Sequence, residues 1–354
     1  MYASLKPVFL FALVATLFAS CAKDEDPVVC TADADLGPGV WITNEGGFGN
    51  NNASLTFLAD DGTVRDGIFE EVNGQPLGDL AQSIFTHNGL GYIAVNFSQK
   101  IEIIDLSSGE RLHTLTGFDY PRYFTADTDG TVYVSNGSGA GEVSALDGAA
   151  GQIEWTSQVG SGPERMATND QYLVVCNSGG FGTDNTVSVF DLSNDVLVET
   201  ITVGDRPVDI EVDGDGDFWV LAKGETLYND SWEVTGHTDA RLVEISGSDL
   251  SILHNHQVGE EGDHPTHLAQ TPSGLLVLAL NGLQSIAPAT GSLTSLVEGS
   301  FYSLDVDPST GYIWAAPYPD FQNPSAINVY DTSGALMTTH DAGIAPNTAA
   351  FVSE

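Results

Sequence analysis

The sequence has little positive charge: 10 Lys plus Arg stand against 49 Asp plus Glu, a formal net charge of −39 over 354 residues. A surface of that sign repels nucleic acid and anionic lipid, so neither is expected as a direct partner. Long apolar runs are missing. The most apolar stretch, Val8 to Phe18, falls short of the roughly 20 residues a bilayer span needs. Catalytic signatures are missing as well: there is no G-x-S-x-G, no H-E-x-x-H and no phosphate-binding loop. Acids occur everywhere, so no single carboxylate pair stands out as a glycosidase-type couple. The acidity does not imply disorder, because 42% of the residues are hydrophobic and short strands are evident.

The N-terminus carries an address. Lys6, the run Val8 to Phe18 and the small residues Ala19-Ser20 read as a secretory signal peptide over 1–20. Leu17-Phe18-Ala19-Ser20-Cys21 resembles a bacterial lipobox, which implies acylation of Cys21. Ala22-Lys23-Asp24-Glu25-Asp26 looks like the surface-export signal of Bacteroidetes lipoproteins. Residues 21–38 lack periodicity and are expected to form a lipidated flexible tether. The expected location is the outer membrane, lipid-anchored and facing the exterior, with the membrane touched only through the anchor. Cys30 and Cys176 are candidates for a disulfide in an oxidising compartment, although Cys176, inside a strand, reads better as a packed core thiol.

A repeat sets the fold. Pro121, Pro163 and Pro207 recur at intervals of 42 and 44 residues, each after a Gly-containing turn and each opening a strand. A second strand follows (Thr131 to Asn136, Tyr172 to Asn177, Phe218 to Leu221). A third comes next (Val143 to Asp147, Val187 to Asp191, Leu242 to Ile245), then a fourth (Ile153 to Val159, Val198 to Val203, Ile252 to Val258). Four short strands every 40-odd residues make a propeller blade. Further blades fit Gln82 to Gly117, Pro265 to Gly299 and Tyr302 to Gly343. Val40 to Thr43, Ser54 to Leu58 and Val64 to Phe69 supply three more strands, and Thr348 to Val352 one. Together these make a composite blade that closes the ring and hides its edges. The expected fold is all-β, a seven-bladed β-propeller over 39–354.

The segments Thr131-Val132-Tyr133-Val134-Ser135-Asn136 and Tyr172-Leu173-Val174-Val175-Cys176-Asn177 resemble the YVTN-type propeller repeat of YncE-like proteins. Ile42-Thr43-Asn44-Glu45-Gly46-Gly47-Phe48-Gly49 and Val72-Asn73-Gly74-Gln75-Pro76-Leu77-Gly78-Asp79-Leu80-Ala81-Gln82-Ser83 resemble signatures of a Bacteroidetes surface lipoprotein family of the DUF5074 type. The similarity continues through Pro121-Arg122-Tyr123-Phe124 to the end. That family includes surface propellers that bind vitamin B12 above a TonB-dependent cobalamin transporter. The resemblance therefore implies a corrinoid as transported ligand and such a transporter as partner, with no cofactor required.

In a propeller, the turns from second to third strand and from fourth to first strand gather on one face. Here the second-to-third turns are long at 44–53, 177–185, 222–239 and 317–325. Three of the six arginines, Arg122, Arg165 and Arg206, fall at fourth-to-first joints. They suit a phosphate, a carboxylate or amide carbonyls, or else pair with neighbours such as Glu164 and Asp209. Phe48, Phe97, Tyr123, Phe181, Tyr228, Trp232, Tyr302, Tyr318 and Phe321 lie in or beside the same turns and suit a large, flat ligand. His254, His256, His264 and His267 cluster in sequence without a clear third ligand type, so no metal site is expected. Asp213-Gly214-Asp215-Gly216-Asp217 reads as a hairpin turn, since it lacks the downstream acid of a calcium loop. The expected ligand-binding residues are Arg122, Tyr123, Arg165, Arg206, Tyr302, Phe48, Phe181, Trp232 and Tyr318, with no catalytic residue. The expected function is capture of vitamin B12 or another corrinoid and its transfer to the transporter. The alternatives are a surface glycan-binding or adhesion propeller and, as an enzyme, a propeller lactonase or lyase.

Overall fold

The structure is a computed structural model and describes residues 36–352 apart from 138 and 275. The signal peptide, Cys21, Cys30 and most of the expected tether lie outside the described residues. Seven four-stranded antiparallel sheets form seven blades. Blade 1 spans Ala81–Thr116, blade 2 Pro121–Val159, blade 3 Pro163–Thr202 and blade 4 Pro207–Gln257. Blade 5 spans Leu268–Val297 and blade 6 Asp305–Ile344. Blade 7 is composite: Pro346–Val352 is its innermost strand, and Gly39–Asn44, Ser54–Ala59 and Val64–Asp66 complete it outward. The strands Gly39–Asn44 and Pro346–Val352 are therefore joined by a strand ladder, and the composite blade has four strands like the other six.

The blades are held together by seven apolar clusters, one between each pair of neighbours. Their composition follows from the period of two in a strand. In Tyr172–Asn177, Leu173 and Val175 pack toward blade 2, whereas Val174 and Cys176 pack toward blade 4. Both faces of each second strand are buried, which explains why these strands are continuous apolar runs rather than alternating ones. Cys176 is fully buried as a free thiol.

The asparagine that ends the second strand straps the joint between blades. The Asn136 side-chain carbonyl accepts from Asp119 N at 3.0 Å and Tyr120 N at 2.8 Å. Asn96 Nδ2 donates to Pro121 O at 3.0 Å, and Asn44 Oδ1 accepts from Gly343 N at 2.9 Å. The strap needs a bare backbone opposite it: a Cβ on Gly160 would lie 2.4 Å from Asn177 Cγ.

Three details differ from the sequence expectation. The strand expected over Val64 to Phe69 stops at Asp66, because Gly67 takes a left-handed conformation and starts a helix, Ile68–Asn73. Ile68 and Phe69 then cap the first apolar cluster. The long turn 222–239 contains a two-stranded hairpin of its own, Thr226–Tyr228 paired with Val234–His237. At the expected tether's end, Leu36 N donates to Ser107 O at 2.7 Å, and its side chain packs on the same cluster. No helix among the described residues is long and apolar enough to cross a membrane.

Candidate functional site

A regular strand would alternate its side chains, so only one of two consecutive residues could face the central channel. The innermost strands break this rule near their starts. The register shifts between Ala81 and Ser83, Pro121 and Phe124, Pro163 and Met166, and Pro207 and Asp209. These bulges re-aim side chains. Consecutive residues such as Arg122 and Tyr123, and Glu164 and Arg165, thereby line one cavity at the channel mouth, together with Thr266 and His267 from just before the innermost strand of blade 5. That cavity is about 300 Å³, and Gln82, Tyr302, Asn347, Glu45 and Lys223 complete its wall.

The mouth is a network of paired charges. Arg122 donates to Glu164 through Nε at 3.1 Å and Nη2 at 2.6 Å, and to Gln82 Oε1 at 2.6 Å. Arg165 Nε lies 3.4 Å from Asp209 Oδ2. Both guanidiniums stack on the Tyr123 ring, at 5.4 and 4.6 Å. Burial works against the charge on Arg122, but Glu164, Tyr123 and Glu45 outweigh it and hold the group above its ordinary value. The Tyr302 hydroxyl donates to Glu45, whose carboxyl burial pushes up. Burial, helped by Arg165, pushes His267 down to about 3. The ring is therefore neutral, its Nε2 donates to Tyr302 O at 2.9 Å, and its buried Nδ1 has no hydrogen-bond partner.

Of the two readings open for the joint arginines, the paired one describes Arg122 and Arg165. Arg206 is committed too: Nη2 donates to Gly182 O at 2.8 Å and Glu225 Oε1 at 3.2 Å, which fixes the loop carrying Phe181. The cation left over is Lys223, which the sequence did not single out. Its ammonium has no hydrogen-bond or ion-pair partner among the described residues, and burial lowers its pKa.

Lys223 also lines a second depression on the same face, about 480 Å³, with Arg206, Phe181, Tyr228, Trp232 and His264. Phe181 is 85% exposed and Trp232 83%. Trp232 sits at the hairpin tip with φ 62, a conformation that bulky residues seldom adopt. Tyr302, Tyr318 and Phe321 form a separate edge-to-face trio, with centroids 5.3 to 6.0 Å apart. Phe48 packs on Phe97 at 4.6 Å. The expected residues thus divide. Arg122, Tyr123, Arg165 and Tyr302 share the channel mouth, Arg206, Phe181 and Trp232 share the neighbouring cleft, and Tyr318 and Phe48 stand in neither cavity.

The histidines do not converge. His254 and His256 stack on the outer strand of blade 4, and His264 bonds Thr226 and His237 at the hairpin base. Asp213 and Asp217 lie with Glu244 close enough to hold an ion. Asp213, however, accepts from Asp215 N and Asp217 N as an ordinary turn residue would.

The fold and this loop-lined face define the class: a seven-bladed β-propeller that presents an aromatic and polar surface around its channel mouth. The chain belongs to the family described as Domain of unknown function (DUF5074), whose model matches residues 38–252. No curated protein matches it. Among solved structures it is similar to a quinonprotein alcohol dehydrogenase-like protein from Bacteroides thetaiotaomicron VPI-5482, at 13% identity and a TM-score of 0.66, covering 90% of this chain and 79% of that one. Hydrazine synthase of Kuenenia stuttgartiensis is 16% identical with a TM-score of 0.61, covering 75% of this chain and 87% of that one. The Dos1 propeller is 11% identical with a TM-score of 0.54, covering 87% and 88%. At these identities the likeness is one of fold.

Proposed function

We propose that the protein is a non-catalytic ligand-capture propeller, anchored through Cys21 on the outer membrane. It takes vitamin B12 or another corrinoid on its loop-rich face and passes it to a TonB-dependent transporter. One observation carries the reading: Lys223, with an uncommitted ammonium, joins the channel mouth to a cleft walled by Phe181, Tyr228 and Trp232. A corrinoid has a broad ring to stack, amides to hydrogen-bond and a phosphate to meet a cation. The loop bearing Phe181 is pinned by Arg206, so part of the aromatic wall is preorganised. The surface address and the family resemblance support this choice of location and partner. A surface glycan is the second reading, since exposed aromatic faces also stack on sugars.

The test is calorimetric titration of cyanocobalamin into the chain carrying Cys21→Ser, with co-elution of the red chromophore. The expected result is one-to-one binding that Lys223→Ala weakens. Absence of binding at about 10 μM protein, where even a micromolar complex would be evident, removes corrinoids as ligands and turns the search to glycans.

A further inference from the structure

The channel has a second cavity at the opposite end, and nothing in the capture reading uses it. It is about 340 Å³ and lies beyond Tyr123 and Arg165, which line both cavities and form the septum between them. Phe85, Phe124 and Phe351 give it an apolar wall. Its polar lining is unbalanced. Arg165 is engaged by Asp209, while Glu211 and Asp305 have no cation within 4.0 Å among the described residues. Each carboxylate accepts one backbone N–H, from Gln270 and from Ala349 respectively. Thr348 adds an independent observation. It is 7% exposed, lines the same cavity, and its hydroxyl has no partner. Buried polar groups are normally satisfied, and a single unmatched hydroxyl beside two unpaired acids marks a place shaped for a donor.

We propose that this lower cavity is a second binding site that takes a small organic ammonium ion with an apolar body. The ammonium has three N–H donors, enough for Glu211, Asp305 and the Thr348 hydroxyl, and it restores charge balance beside Arg165. The apolar body fills the space between Phe85, Phe124 and Phe351, where a ring edge or a cation meets aromatic faces favourably. An anionic ligand of the same size is repelled by both acids, and a neutral one leaves their charge unbalanced. The net charge of −39 draws cations toward the molecule from solution. Glu211, faced by Asp209, Asp305, Arg165 and the Gln270 N–H, is pushed up to about 8 by burial, so an arriving ammonium displaces its proton. Binding then strengthens as pH rises toward that value.

The experiment is calorimetry on the full chain with 2-phenylethylamine, and with 2-phenylethanol as its uncharged counterpart. The amine is expected to bind one-to-one, and the alcohol at least about tenfold more weakly. The double variant Glu211→Gln with Asp305→Asn is expected to lose at least about tenfold in amine affinity, and Thr348→Val a few-fold. Wild-type affinity is expected to rise between about pH 6 and about pH 8.5. Equal affinity for amine and alcohol overturns the proposal. So does an amine affinity that is flat or falling over that pH range, a readout that needs no variant to fold. Neither outcome depends on whether the opposite face takes a corrinoid.

Discussion

Replacing Glu211 by Gln should make the protein more stable, by an amount that grows as pH rises above 4.5. Burial pushes this carboxyl up to about 8 from an ordinary 4.5; Asp209 and Asp305 add to the rise, while Arg165 and the Gln270 N–H oppose it. Between those two pH values the folded chain holds a proton that the unfolded chain has released. Stability must therefore fall as pH climbs through the window. The gap, at about 1.4 kcal/mol per pH unit, sums to about 5 kcal/mol. Water in the cavity screens part of it, which leaves roughly 2–4 kcal/mol. Asp209 and Asp305, each pushed up to about 6 by burial, act in the same sense over a lower window.

Glutamine keeps an oxygen for the Gln270 N–H and carries no charge. The variant should match the wild type near about pH 5 and exceed it by roughly 2–4 kcal/mol near about pH 9. Urea unfolding followed by tryptophan fluorescence at several pH values reads the difference directly. A constant difference at all pH values refutes the reasoning. So does a variant that loses ground as pH rises, since Glu211 would then be ionised and stabilising in the folded chain.

Two further outcomes test other parts of the structure. Asn136→Ala removes the acceptor for two backbone N–H groups at a blade joint and should cost about 2–3 kcal/mol in urea unfolding; a loss under about 0.5 kcal/mol would show that the joint holds without its strap. Phe181→Ala and Trp232→Ala remove side chains that face solvent, so each should leave stability within about 0.5 kcal/mol while lowering cyanocobalamin affinity at least about tenfold. Lost stability with unchanged affinity would assign both rings to loop packing instead.

The blade count and the composite closure were legible in the sequence because they depend on repeated local signals. Pro121, Pro163 and Pro207 open strands, and Tyr172–Asn177 forms over the expected residues. The long turns were legible for the same reason. The helix Ile68–Asn73 was not. Its start depends on Gly67 in a left-handed conformation, and Ile-Phe-Glu-Glu-Val carries no period long enough to set it apart from a strand end. The channel lining was hidden for a different reason. Strand alternation assigns Glu164 and Arg165 to opposite sides, and only the bulge after Pro163 brings both to the mouth. Glu45 and Tyr302, 257 residues apart, meet because the ring closes. Lys223 was overlooked because its importance lies in a missing partner, which a sequence cannot display. The acids of the lower cavity were concealed by the abundance of acids elsewhere.

The division of labour in the molecule follows from where its stability resides. Seven interblade clusters, closed by the Pro346–Val352 strand, supply the apolar packing of the ring away from the channel. The channel can therefore keep groups that a single compact core would not tolerate: Glu211 and Asp305 without an ion pair, and a bare His267 nitrogen. Such groups weaken the fold at neutral pH, Glu211 through the proton it holds in the folded chain. A scaffold with surplus stability can carry that cost where a ligand relieves it. The septum of Tyr123 and Arg165 separates two environments along one axis. Above it the charges other than Lys223 are paired and rimmed by aromatic loops; below it Glu211 and Asp305 stand without an ion pair beside phenylalanines. On the proposed readings, a ligand for the upper face would be broad and meet Lys223, whereas one for the lower cavity would be small and cationic. One ring thus presents two chemically distinct openings, whose proposed ligands need not compete.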